Sequence, residues 1–218
     1  MAARLRSAST RIRQNSSVSP IWTLARGEIL SRKSSIVNLK SRGLGNLRLA
    51  SYNPAMAQKD YPKTNAIRCL LDHGIAFEVF MYKYEEWGGT RVSSRELGVD
   101  EHIVVKTLVM ETDAHDPLIV LMHGDCEVST KQLARILNVK SVAPCDPKVA
   151  NRHSGYLVGG TSPFGTKRCM PIYCEAGILD LERIYINAGA RGMLVRIDPK
   201  DMSKALNLIP VQVAIPSR

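Results

Sequence analysis

Hydrophobic and polar positions alternate in two distinct rhythms along this chain, and the change of rhythm marks its elements. From Thr64 to His73, Ile67, Leu70 and Leu71 recur at helical spacing, and Gly74 supplies the stop. Phe77 to Tyr82 alternates and is rich in β-formers, predicting a strand. Ser93-Ser94-Arg95-Glu96 reads as a capping box that opens a short helix ending at Gly98. Lys106 to Glu111 and Pro117 to His123 are apolar, β-branched runs on either side of a polar turn, so they predict two strands. Ser129 to Gln132 caps a helix whose apolar face carries Leu133, Ile136 and Leu137. Val142 falls in a short strand. Asp146-Pro147 combines a cap with a proline at the first helical position and opens another helix.

Pro171 to Cys174, Arg183 to Asn187 and Met193 to Ile197 predict further strands. Asp198-Pro199 opens a last helix through Leu206, and Val211 to Ala214 is expected to close the sheet. Short strands interspersed with irregularly placed helices argue for a mixed α/β (α+β) sheet instead of a repeating βαβ fold.

One stretch breaks both rhythms. His153 to Gly165 holds four glycines, one proline and three Ser/Thr residues in thirteen positions. Such a segment forms neither a regular helix nor a central strand, but it brings backbone N–H groups close to a polar ligand. Gly160-Thr-Ser-Pro-Phe-Gly165 is not a phosphate-binding P-loop: that motif places Lys directly after the second glycine, where Thr166 stands here, followed by Lys167 and Arg168.

Composition narrows the field. The chain has 218 residues and a net charge of +10. Residues 1–50 contain ten Lys and Arg against Glu28 alone, whereas residues 51–218 are nearly balanced. The basic balance therefore belongs to the N-terminus, and any nucleic-acid contact of the remainder must come from a local cluster. Residues 1–55 read either as an organellar transit peptide or as an upstream extension, with Met56 starting the domain that spans 56–218. The first reading places the protein in mitochondria, the second in the cytoplasm. No apolar run approaches the roughly 20 residues of a membrane span.

The five cysteines (Cys69, Cys126, Cys145, Cys169, Cys174) are scattered, so reduced thiols in or near the core are expected. The histidines show no ligand spacing, and no Ser-His-Asp or Cys-His arrangement is legible; only His153 abuts the glycine-rich stretch. No metal or organic cofactor is expected.

Gly155-Tyr156-Leu157-Val158-Gly159-Gly160, followed by Ser162-Pro163 and Gly165, lies about fifty residues after Val105-Lys106-Thr107-Leu108. These two motifs, with the order of elements from Lys63 to Ala214, resemble the YbaK/EbsC family of aminoacyl-tRNA editing domains. The resemblance implies a single domain with a mixed, partly barrel-like central sheet flanked by short helices. It implies a trans-acting deacylase for mischarged tRNA, Cys-tRNA(Pro) above all, with Ala-tRNA(Pro) or a non-catalytic tRNA-binding module as alternatives. It names the tRNA acceptor end as partner, with prolyl-tRNA synthetase beside it, and neither membrane nor DNA.

In that family the lysine matching Lys106 is needed for deacylation. Tyr82 matches a tyrosine flanking the pocket, with Tyr84 as the neighbouring register. Gly159 matches the pocket glycine; Thr107, Ser154, Gly155, Tyr156 and Gly160 complete the expected binding set. Ile184 to Gly192 is the third matching segment. Asn187, Ala188 and Gly189 replace the Ser-Gly-Gly of better-known members, and Leu194 stands where they carry an aspartate. Asn187 and Gly189 are therefore expected at the pocket, with altered polarity.

Overall fold

The computed structural model describes residues 61–217. The basic segment read as an appendage lies outside them. Helix α1 (Asn65–Asp72) is capped by Thr64, whose hydroxyl oxygen accepts from the Ile67 amide at 3.2 Å. It buries Ala66, Ile67 and Leu70, while Leu71 faces solvent at 59% exposure, one position off the expected stripe. Strand β1 (Glu78–Met81) follows, then α2 (Gly89–Leu97).

Helix α2 does not start at the expected capping box. It starts five residues earlier, with Gly88 as its cap and no side-chain capping bond. Ser93 and Ser94 lie within it, their hydroxyls turned back onto the carbonyls of Thr90 and Arg91. Serine serves either role, and the tertiary position of the Gly88-Gly89 turn decides between them here.

A 3-10 turn (Glu101–Ile103) leads into β2 (Val104–Thr112), β3 (Pro117–His123) and β4 (Cys126–Val128). Helix α3 (Thr130–Leu137) is capped by Ser129 as expected, though Ile136 is exposed. Strand β5 (Val142–Pro144) precedes α4 (Pro147–Ser154), where the Asp146 carboxylate accepts from the Lys148 amide at 2.8 Å. Strand β6 (Ile172–Glu175), helix α5 (Ala176–Leu179), β7 (Ile184–Ala190) and β8 (Met193–Ile197) complete the central part. The segment opened by Asp198-Pro199 is a 3-10 helix (Pro199–Lys204), shorter and tighter than the expected α-helix. The chain ends in β9 (Leu208–Val211) and β10 (Ala214–Pro216).

The main sheet is mixed, in the order β1-β8-β7-β2-β3-β6-β9, with β5 on β2. Strands β2 and β3 are antiparallel; β2 with β7, β3 with β6 and β6 with β9 are parallel. The expected closing strand is divided: Val211 ends β9 on the main sheet, whereas Ala214 opens β10 on β4 in a separate pair.

Both faces of the sheet are covered. One face packs Val105, Val109, Ile119, Leu121, Ile186 and Val195 against α1 and Phe164. On the other face Met110, Val120 and Met122 pack under α3, and Val104, Tyr185 and Leu194 meet Phe80, Tyr82 and Leu97. Side chains alternate along a strand, so β2 sends Lys106 to this second face and Thr107 to the first.

Candidate active site

The glycine-rich stretch becomes a wall through its two ends. Helix α4 continues through Ser154 and stops at Gly155, whose φ of 79° is left-handed and favours glycine. The buried Ser154 hydroxyl donates to Ala150 O at 2.8 Å, and the Tyr156 amide donates to the Ser154 hydroxyl oxygen at 3.1 Å. The Tyr156 hydroxyl donates to the Phe164 carbonyl at 2.7 Å, closing the base of the loop over a fully buried Phe164 ring. Burial pushes the Tyr156 phenol up to about 12, so it stays protonated and remains a donor.

The other wall is the end of β7, where the register with β8 shifts between Asn187 and Ala190. Asn187 joins the two walls. Its side-chain amide donates to Gly159 O at 3.1 Å, and its side-chain oxygen accepts from the Gly189 amide at 2.8 Å. Arg191 adds a second tie, donating from Nε to Val158 O at 3.0 Å. Gly160 packs so closely on this bulge that a Cβ there would lie 2.9 Å from the Arg191 backbone nitrogen.

Between the walls lies a cavity of ≈ 320 Å³ lined by Gly155, Tyr156, Leu157, Gly160, Gly189, Ala190 and Arg191. Four of the expected residues, Gly155, Tyr156, Gly160 and Gly189, line it directly. Ser154, Gly159 and Asn187 are outside the lining but bonded to it: Asn187 joins Gly159 O to the Gly189 amide, and Ser154 accepts from the Tyr156 amide.

The tyrosine that meets the loop is Tyr84. Its hydroxyl approaches Gly159 so closely that a Cβ there would lie 2.6 Å away, and the Arg191 guanidinium lies 5.1 Å from its ring centroid. Tyr82 instead packs with Val104, Tyr185 and Leu194, and its amide donates to Gly192 O at 2.9 Å. Burial pushes the Tyr82 phenol up, and neighbouring Tyr84 adds to the shift.

Lys106 is half-buried on the same sheet face as Asn187. The β2–β7 register ends at Val105↔Ile186, one residue before each of them. Its ammonium donates to the Cys126 carbonyl at 2.9 Å, and Lys106 is not part of the cavity lining. Thr107 faces the opposite way, paired with the buried Leu121, and its buried hydroxyl has no hydrogen-bond partner.

Arg191 is the charged residue of the cavity lining, and Lys167 lies beside Gly155. Lys167 and Arg168 run back along the end of α4, their amides donating to Ser154 O and His153 O. His153, in the last turn of α4, is held below its ordinary value first by burial, then by Arg168 and Arg152.

Comparison with known proteins settles the family. The family model of the aminoacyl-tRNA editing domain matches residues 89–205, more than half of the chain. The chain belongs to the aminoacyl-tRNA editing domain family. The "Putative Cys-tRNA(Pro)/Cys-tRNA(Cys) deacylase EbsC" of Enterococcus faecalis is 28% identical over 151 residues, covering 69% of this chain and 92% of that protein. The crystal structure of "a putative trans-editing enzyme for prolyl tRNA synthetase" superposes with a TM-score of 0.62 at 17% identity, over 70% of this chain and 98% of the other. The matched segment contains β2, the glycine wall and the β7 bulge, so the cavity lies wholly within the editing domain.

Proposed function

We propose that this editing domain acts in trans as a deacylase of mischarged tRNA, with Cys-tRNA(Pro) as its substrate. The observation that carries the reading is the cleft: a glycine-walled cavity whose walls are tied by Asn187 and Tyr156, with Arg191 in its lining and Lys167 beside Gly155. A backbone wall admits a ribose and its ester without steric conflict, and flanking cations suit the phosphates of a single-stranded RNA end.

The cavity lining offers no general base. Tyr156 is held protonated, and Arg191 is a permanent cation. Such a site favours a reaction in which the substrate brings its own nucleophile and the protein fixes the geometry. The cysteinyl sulfur attacks the ester carbonyl carbon. A C–S bond forms, the C–O bond to the ribose breaks, and the thiol proton ends on the departing ribose hydroxyl. The amino acid leaves as a cyclic thioester. The name of the Enterococcus relative supports the cysteinyl substrate.

Lys106 supplies the cation for the terminal phosphate. Its ammonium rests on a neutral carbonyl in the free protein, and a phosphate oxygen is the stronger acceptor.

The test incubates the full chain with a panel of mischarged tRNAs, cysteinyl and alanyl tRNA(Pro) among them, and follows loss of the ester. Rapid clearance of Cys-tRNA(Pro), abolished by Lys106→Ala with unchanged circular dichroism, is the expected result. Binding of tRNA without turnover of any substrate overturns the reading and identifies a non-catalytic module.

A further inference from the structure

Beside Lys106, whose ammonium bonds the Cys126 carbonyl, three side chains of different chemistry converge. The Nδ1 atom of His102 lies 3.0 and 3.1 Å from the two carboxylate oxygens of Asp125, and the Cys126 thiol donates to the same carboxylate at 3.5 Å. One ligand atom from each of the three residues lies within 4.8 Å of the others. Imidazole, thiolate and carboxylate are the donor set of zinc and its neighbours in the first transition row. Metal bonds of about 2.0–2.3 Å in a tetrahedron place ligand atoms roughly 3.3–3.6 Å apart. The His102–Asp125 and Asp125–Cys126 spacings of 3.0 and 3.5 Å need little adjustment to reach that range, and the His102 and Cys126 ligand atoms lie within 4.8 Å of each other.

The cluster is built rigidly. His102 occupies the 3-10 turn before β2, where its amide donates to the Asp100 carboxylate at 2.9 Å. Its ring stacks on that of His123 at 3.8 Å and 11°, and the buried His123 donates from Nδ1 to the His102 carbonyl at 2.8 Å. Asp125 sits in the tight β3–β4 turn, and Cys126 opens β4. Gly124 presses that turn onto Glu101, so closely that a Cβ at Gly124 would lie 2.3 Å from the Glu101 carbonyl oxygen. The Thr90 hydroxyl bridges Glu101 and the Gly124 carbonyl. Both halves are thus held by contacts outside the three residues, as outer partners hold metal ligands. His102 and Asp125 side chains are 42% and 46% exposed, which leaves a path for an ion and for water as a fourth ligand.

The geometry points to a binding site for one zinc-class divalent cation held by His102, Asp125 and Cys126, none of which lines the cavity between the glycine wall and the β7 bulge.

Metal-free full-length protein is titrated with Co²⁺ and then with Zn²⁺. A thiolate-to-cobalt charge-transfer band that saturates near one equivalent and is displaced by Zn²⁺ is the expected outcome. Cys126→Ser abolishes the band, and His102→Ala weakens binding by about tenfold or more. Cys69→Ser leaves the band intact, which excludes the other neighbouring thiol–imidazole pair, Cys69 and His73. Circular dichroism of each metal-free variant shows that the fold is retained. Absence of a band in the wild type, or a band that survives Cys126→Ser, overturns the inference. Neither readout depends on turnover of tRNA.

Discussion

The Asn187 side chain donates to the Gly159 carbonyl and accepts from the Gly189 amide, so one amide group holds the glycine loop to the β7 bulge. Asn187→Ala leaves a carbonyl and an amide without these partners and should cost about 1–3 kcal/mol. Asn187→Asp keeps the acceptor for Gly189 but sets an anion against the Gly159 carbonyl, so it rescues little. Thermal denaturation together with ester hydrolysis checks this. Equal melting temperatures for wild type and Asn187→Ala would show that the tie contributes nothing.

Gly160 and Gly155 make different demands on the backbone, and substitution separates them. At Gly160 an added Cβ meets the Ala190–Arg191 main chain at 2.9 to 3.0 Å, which cannot yield without moving the loop off its wall. At Gly155 the nearest atom is Lys167 Cβ at 3.4 Å, and only the left-handed φ of 79° opposes a side chain. Gly155→Ala should therefore cost about 1 kcal/mol and keep most deacylation. Gly160→Ala should lose deacylation at least tenfold through displacement of the cavity wall, by the sensitivity of rate to about 1 Å of misplacement. Steady-state kinetics of the two variants decides the ranking.

How much of this was legible in the chain follows from the range of the interactions involved. Ser129 and Asp146-Pro147 announce their helices through bonds within four residues, and both helices start where those signals stand. Strand β4 escaped notice because three residues carry little pattern, and its partner β10 lies almost ninety positions later. Helix α2 begins at Gly88-Gly89, which no propensity favours, so the Ser93 signal looked stronger. The glycine wall was visible as composition, but its contact with Tyr84 instead of Tyr82 is tertiary. Lys106 and Thr107 are neighbours on a strand, so the alternation already legible in the sequence sends their side chains to opposite faces.

Thr107 makes that argument measurable. Its hydroxyl is buried on the core face without a partner, a condition that costs on the order of 1–3 kcal/mol. Thr107→Val keeps the shape, removes the unmatched polar atom and suits a strand. The variant should gain about 1 kcal/mol in chemical denaturation and deacylate as wild type does. A loss of both stability and activity would return the Thr107 hydroxyl to the site.

Alkaline pH should loosen this fold through three groups that share one cause. Burial pushes Cys145 up to about 11 from an ordinary 9.0, Cys174 up to about 12 from 9.0, and Tyr156 up to about 12 from 10.0. In each case the folded chain retains a proton that the unfolded chain has already released across that interval. The stabilisation is complete below about pH 9 and falls as pH rises through the folded values near 11 to 12. Melting temperature should therefore decline steadily from pH 9 upward. Cys174→Ala should flatten part of the slope, even though the cavity it creates lowers the plateau. A variant with the wild-type slope would remove Cys174 from the account and leave Cys145 and Tyr156 to carry it.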